Sequence, residues 1–439
     1  MVQTSHFFVL LALLVYYANG RAGYGPGEQD WGYVDIRTGA HMFYWLYYTT
    51  ANVSTYTTRP LVIWLQGGPG ASSTGYGNFE ELGPVDLFGH QRNWTWVKDM
   101  NVIFIDNPVG SGFSYVDNPA YYTATNKEVA LDLVNFMKGF YALHPEFETV
   151  PLHIFSESYG GKMATDFALE LYNVQHRGEL KSNLVSVALG DPWISPIDSV
   201  LAWGPMLLQF GLVDHEGYES IMTAANLTAK LVEDERWIQA TAQWDITQDV
   251  VLQASKGVDS YNVLKKTREQ KSFSPKERLY RAMNNKADDL SHEDRDQMLL
   301  NLMRGPVAKA LGIPKTIRWG SQGDTVFEIH QTDFMKPVIH IVNELLNKTS
   351  LKVGVYSGSL DLICATPGTL KWIEKLDWNR KWEYAKAPRT AIYVHHVLEG
   401  YQKTGGNFSM FWINRSGHMV PADNPAAMSH VLRKFTNYG

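Results

Sequence analysis

The segment VPLHIFSESYGGKMATDFALELYNV, residues 150–174, constrains the fold more than any other part of the chain. A short β-branched and aromatic run passes through Ser156-Glu157-Ser158-Tyr159-Gly160-Gly161 directly into a helix-like pattern. A serine on so sharp a strand-to-helix turn carries its hydroxyl at the carboxyl edge of a sheet, and its flanking residues must be small for the turn to close. The usual pattern is G-x-S-x-G. Ser156 stands where the first glycine is expected, which is still small enough. Ser158 is therefore a candidate nucleophile.

The rest of the chain repeats this strand-then-helix grammar. Strand-like runs occur at LVIWLQ (61–66), NVIFID (101–106), LHIF (152–155), VSVAL (185–189), KVGVYS (352–357) and FSMFWI (408–413). Between the second and third, Val129, Leu133, Phe136, Met137 and Phe140 recur at i, i+4, i+7, i+8 and i+11, one face of a helix. Such alternation predicts an α/β fold with a mostly parallel mixed sheet and helices on both faces. From 196 to 310 the texture changes to polar, charged helical stretches, read as a helical cap inserted between a first core part (21–195) and a second (311–439). An independent second domain is the alternative, but strands resume after the insertion.

Composition narrows the function. A net charge of −6 and no Lys/Arg run exclude a polyanion-binding surface, so nucleic acid is not an expected partner. Residues 1–20 read as a secretory leader: 11 apolar residues from Phe7 to Tyr17, then Ala18 and Gly20. The alternative is an uncleaved anchor, although the run is short for a bilayer. No later run is long and apolar enough to insert once the leader is removed. Sequons at Asn52, Asn93, Asn226, Asn347, Asn407 and Asn414 agree with passage through the secretory pathway, to lysosomes or the exterior. The lone cysteine, Cys364, allows no intrachain disulfide.

Ser158 needs a base and an orienting acid, which in a fold of this class follow in the order Ser, Asp/Glu, His beyond later strands. Asp361 in VYSGSLDLIC and His418 in NRSGHMVP meet that order. His395 and His396 are rivals for the base, although they lie within a strand-like YVHHV, and Asp361 read alone could be a solvated loop carboxylate. An oxyanion needs two backbone donors: the Tyr159 N–H, and one from the Gly67-Gly68-Pro69-Gly70 turn after LVIWLQ. No H-E-x-x-H or C-x-x-C spacing suggests a metal, and no cofactor motif is complete.

WLQGGPGASS, NFEELGP, IDNPVGSGFSY, FSESYGGK, LGDPW, YSGSLDLIC and GHMVPADNP, in this order between residues 64 and 425, resemble the serine carboxypeptidases. LGDPWISPIDSVLAWGP points to one branch of that family, and the likeness is weakest between about 215 and 300. The resemblance implies an α/β-hydrolase fold and release of single residues from peptide or protein C-termini through an acyl-enzyme, with no cofactor. By matching positions it implies Ser158, Asp361 and His418 as triad and Gly68 and Tyr159 as oxyanion donors. Gln66, Gly67 and Glu157 would hold the substrate's terminal carboxylate, with Trp64 beneath and Glu81 in support; Cys364 and Met419 would line the pocket for the departing residue. Gln66 departs from the asparagine of many members, Ser359 from an aspartate and Ala71 from a cysteine. Esterase or acyl-transfer chemistry with the same triad, or a secreted binding role, are the alternatives. The oligomeric state stays open between monomer and homodimer.

One electrostatic expectation follows. Two ionised carboxylates about 4 Å apart repel by about 4 kcal/mol at an effective dielectric near 20, so Glu157 and a peptide carboxylate must share a proton. Peptide binding should weaken as pH rises.

Overall fold

In the computed structural model, which describes residues 20–265 and 292–439, the six strand-like runs form the parallel middle of one 11-stranded sheet. The strands are β1 (Gln29–Arg37), β2 (Ala40–Tyr47), β3 (Leu61–Leu65), β4 (Asn101–Ile105), β5 (Tyr115–Val116), β6 (Leu152–Glu157), β7 (Leu184–Gly190), β8 (Lys352–Gly358), β9 (Thr390–Val394), β10 (Val397–Gly405) and β11 (Phe408–Ile413). Their order is β1-β2-β4-β3-β6-β7-β8-β11-β10-β9, with β5 beside β2. From β4 to β11 all neighbours are parallel, while both margins are antiparallel.

Burial explains the continuous apolar runs. A parallel strand covered on both faces has no solvent side, and β3 and β4 are buried at every residue. Leu61, Ile63 and Leu65 enter one core with helix α1 (Asn126–Leu143) and helix α2 (Tyr159–His176). Val62 and Trp64 enter a second core on the opposite face, with Phe155, Phe411 and Phe435. Helix α1 starts at a capping box, Thr125 with Glu128, and buries the five residues picked out by their spacing.

Between β7 and β8 no further strand occurs among the described residues. The chain runs through α3 (Pro196–Gln209), α4 (His215–Glu233) and α5 (Trp237–Ala254), then through helices at His292–Leu302, Asp324–Phe334 and Ile339–Lys348. The first of these lies against the core: a Cβ on Gly368 would stand 2.5 Å from the Asp198 carbonyl oxygen, and Lys375 pairs with Asp198 at 2.7 Å. The leader, apart from Gly20, and residues 266–291 of the expected cap lie outside the described residues.

His395 and His396 are not in a strand. Both have positive φ (47° and 66°) and form the exposed two-residue turn that joins β9 to β10, the backbone a tight hairpin requires. Among the described residues no helix is long and apolar enough to cross a membrane.

Candidate active site

Ser158 sits between β6 and α2 with φ 61° and ψ −128°, a backbone that a non-glycine residue adopts only under constraint. The constraint is visible. Its N–H donates to the Gly190 carbonyl at 2.9 Å, and its own carbonyl accepts from Gly161 and Trp193, both at 2.9 Å. A Cβ on Gly160 would stand 2.4 Å from the Leu65 carbonyl oxygen, and one on Gly161 2.4 Å from the Pro192 Cβ. These contacts, and not flexibility, demand the two glycines. Ser156 fits as a fully buried residue. Tyr159 opens α2, so its N–H is among the free donors of a helix start. Behind it, its hydroxyl donates to Asp333 at 3.0 Å, and Asp333 pairs at 3.0 Å with the buried Lys162.

The facing loop, Gly67 to Gly70, is equally cramped. A Cβ on Gly67 would lie 2.6 Å from the Ser158 Cβ, and Gly68 and Gly70 have φ of 107° and 106°. Neither Gly67 nor Gly68 donates to a backbone carbonyl among the described residues. Asp106, just past β4, clamps this loop: it accepts from Ser72 Oγ (2.7 Å), Thr74 N (3.1 Å), Thr74 Oγ1 (2.8 Å) and Phe113 N (2.9 Å). Gln322 Nε2 adds a bond to the Pro69 carbonyl at 2.6 Å. The sequence reading singled out neither residue, although Asp106 lies in one of its motif blocks.

Asp361 and His418 meet as expected from chain order, with Asp361 Oδ2 at 2.8 Å from His418 Nδ1. Asp361 Oδ1 accepts from the Cys364 N–H at 3.1 Å, and the Asp361 N–H donates to the Gly358 carbonyl at 3.1 Å. With Nδ1–H on the carboxylate, Nε2 is the free acceptor, and it is buried without a partner. No hydrogen bond joins it to Ser158, whose side chain lies close enough to Cys364 to lower that thiol slightly against the rise. The carboxylate, thiol and imidazole ligand atoms of Asp361, Cys364 and His418 all lie within 4.8 Å of one another. Burial pushes the Cys364 thiol up, with the Asp361 charge adding to it, which keeps it a thiol and no nucleophile. Tyr261, from the segment after α5, was not anticipated: its carbonyl accepts the His418 N–H at 2.7 Å and its ring stands edge-on to the imidazole at 5.2 Å. A Cβ on Gly417 would stand 2.1 Å from that carbonyl oxygen.

Beside Ser158 lies a second cluster. Trp64 Nε1 donates to Gln66 Oε1 at 2.7 Å, and Gln66 Nε2 donates to Glu81 Oε1 at 3.0 Å and Glu157 Oε1 at 2.9 Å. Both amide hydrogens of Gln66 are thus committed to the two glutamates. Their other oxygens are buried without a hydrogen-bond partner. Burial raises Glu81 to about 7 and drives Glu157 well above the carboxylate range, with the Glu81 charge adding to the rise of Glu157. Met419 is half-buried at the start of a short helix, Val420–Asp423.

Of the sequons, Asn52, Asn93 and Asn226 are exposed. Asn347 is exposed, but its amide donates to the Asn343 and Asp377 carbonyls at 2.9 and 3.1 Å. Asn407 and Asn414 are half-buried.

Sheet order, elbow and flanking helices define an α/β-hydrolase fold. Kex1(delta)p, a prohormone-processing carboxypeptidase from Saccharomyces cerevisiae, has a crystal structure that matches with a TM-score of 0.78 over 94% of this chain and 91% of that one; at 21% identity the likeness speaks to fold alone. The profile of the family described as serine carboxypeptidase, Peptidase_S10, matches residues 22–438. Retinoid-inducible serine carboxypeptidase of Mus musculus is 40% identical, covering 98% of this chain and 97% of that protein. The Homo sapiens protein of that name is 41% identical, over 93% and 92%. Serine carboxypeptidase-like 51 of Arabidopsis thaliana is 35% identical over 99% of both. The chain belongs to the serine carboxypeptidase family, a family of serine-type hydrolases.

Proposed function

We propose that Ser158, His418 and Asp361 form an acyl-transfer triad that removes single residues from free peptide C-termini under acidic conditions. His418 Nε2 takes the Ser158 proton during attack on the last peptide carbonyl and returns it to the leaving amine. Asp361 holds the imidazole in the Nδ1–H tautomer and balances its charge when it becomes an imidazolium. The Gly68 and Tyr159 N–H groups receive the oxyanion. A rotation of Ser158 away from Cys364 brings its hydroxyl to Nε2, and such bonds often tighten only with substrate present.

The observation that carries the exopeptidase reading is the glutamate pair one residue from the nucleophile. At low pH both glutamates are neutral acids, able to donate O–H to a substrate carboxylate alongside the Gly67 N–H. As pH rises through about 7, Glu81 ionises and repels that carboxylate. Gln66 serves this site by orienting the pair, with Trp64 behind it, and Cys364 and Met419 border the departing residue. The helical stretch 196–310 acts as the cap. The leader and the exposed sequons Asn52, Asn93 and Asn226 fit a glycosylated protein of the secretory route.

A fluorophosphonate serine probe on the wild type and Ser158→Ala tests the triad, with labelling expected only in the wild type. Blocked dipeptides with free or amidated C-termini then test the carboxylate site. The free acid should lose kcat/KM with rising pH far more than the amide; matching profiles would overturn the reading, and labelling without residue release would point to acyl transfer.

A further inference from the structure

Asp191 is a second carboxyl group behind the Asp361–His418 pair that the mechanism above leaves idle. It follows β7 with φ 37°, fully buried, and its N–H donates to the Tyr356 carbonyl at 2.8 Å. Its oxygens accept the Gly358 N–H at 3.0 and 3.3 Å. The carbonyl of the same Gly358 accepts the Asp361 N–H. The two aspartates thus hang from opposite sides of one glycine on a strand next to β7, close enough for the Asp361 carboxyl to raise that of Asp191. The titratable groups facing this spot are Asp361 and Cys364 beyond β8, Tyr356 within it, Glu157 at the end of β6, and His418 through Asp361. Among the described residues no lysine or arginine pairs with either aspartate.

Two fully buried carboxyl groups held on the same glycine, with no cation beside them, do not both ionise, so one of them keeps its proton. Asp361 faces the imidazole, which gains positive charge in the reaction, and is the natural anion. We propose that Asp191 is a positioning residue for the triad, a neutral acid whose O–H is donated to Asp361 and holds that carboxylate against His418 Nδ1. Burial, with the Asp361 charge behind it, raises Asp191 well above the carboxylate range, in the same sense. Ionisation of Asp191 at high pH would then drive Asp361 off the imidazole and slow Ser158.

This inference rests on the triad of the proposed function, so its test reads Ser158 directly and not peptide release. The rate of fluorophosphonate labelling is measured on the full glycosylated chain from about pH 4 to pH 9. Asp191→Asn keeps a neutral donor to Asp361. It should label within about threefold of the wild type near pH 5 and lack the wild type's alkaline fall, whereas Asp191→Ala should be slowed at least about tenfold throughout. Thermal melting checks that both variants fold, and Asp191→Asn alone carries the test if Asp191→Ala does not. An alkaline limb in Asp191→Asn equal to the wild type's, or labelling as slow as in Asp191→Ala, would overturn the proposal. A wild type that labels but releases no terminal residue would sink the carboxypeptidase reading while the Asp191 comparison still decides this one; a wild type that never labels would sink both.

Discussion

Glu81 with Glu157 and Asp191 with Asp361 are two pairs of buried carboxyl groups near Ser158, and they differ in what completes them. In the aspartate pair every oxygen has a partner from the scaffold: the Gly358 and Cys364 N–H groups, or the His418 ring. In the glutamate pair one amide, Gln66, serves one oxygen of each, and the remaining two oxygens have no partner. A buried acid without donors or a cation keeps its proton, and its proton state changes when a charged ligand arrives. Under the proposed function, one pair holds a geometry and the other answers a substrate's charge.

Breaking the closed pair should have the largest effect. Asp361→Asn leaves the fold intact but favours the wrong imidazole tautomer, so labelling of Ser158 and kcat should fall by about 10⁴. Stability comes next. Glu81, Glu157 and Asp191 all bind protons more tightly folded than unfolded, so their contribution is fully present below their unfolded values and is lost as pH rises through the folded ones. For Glu81, raised from 4.5 to about 7, the loss is of order 3 kcal/mol. Urea unfolding should show wild-type stability falling between about pH 5 and pH 8, with a shallower fall in Glu81→Gln/Glu157→Gln; equal slopes would contradict the assignment.

The same double variant sharpens the contrast in binding. KM for a free-acid dipeptide should rise about tenfold or more from pH 5 to pH 8 in the wild type and less than about twofold in the variant, with the amide substrate indifferent in both. The smallest effect belongs outside both pairs. His395→Ala and His396→Ala alter only an exposed turn, and kcat/KM should stay within about twofold of wild type; a large loss in either would reopen the choice of base.

Much of this was legible before any coordinates. Covered parallel strands must be apolar at every position, so LVIWL and NVIFI could be read as central strands. The marginal strands could not: β1 and β2 pair antiparallel across a short turn, and QDWGYVDIR has mixed burial that blurs its period. YVHHV misled for a related reason, because β-like composition says nothing about which two residues turn the corner. The glutamates came through motif positions, yet Gln66 bridging both of them, Asp106 holding Ser72 and Thr74, and Tyr261 reaching back to His418 depend on contacts between segments distant in sequence.

The α/β grammar, the elbow around Ser158 and the chain order of Asp361 and His418 are readable in the sequence, because local sterics and strand burial act on neighbouring residues. Which carboxyl groups come together is a matter of tertiary contacts. That choice depends on desolvation and on donors brought from other strands: Gly358 lies between Asp191 and Asp361 because β7 and β8 are neighbours in the sheet, although β7 ends at Gly190 and β8 begins only at Lys352.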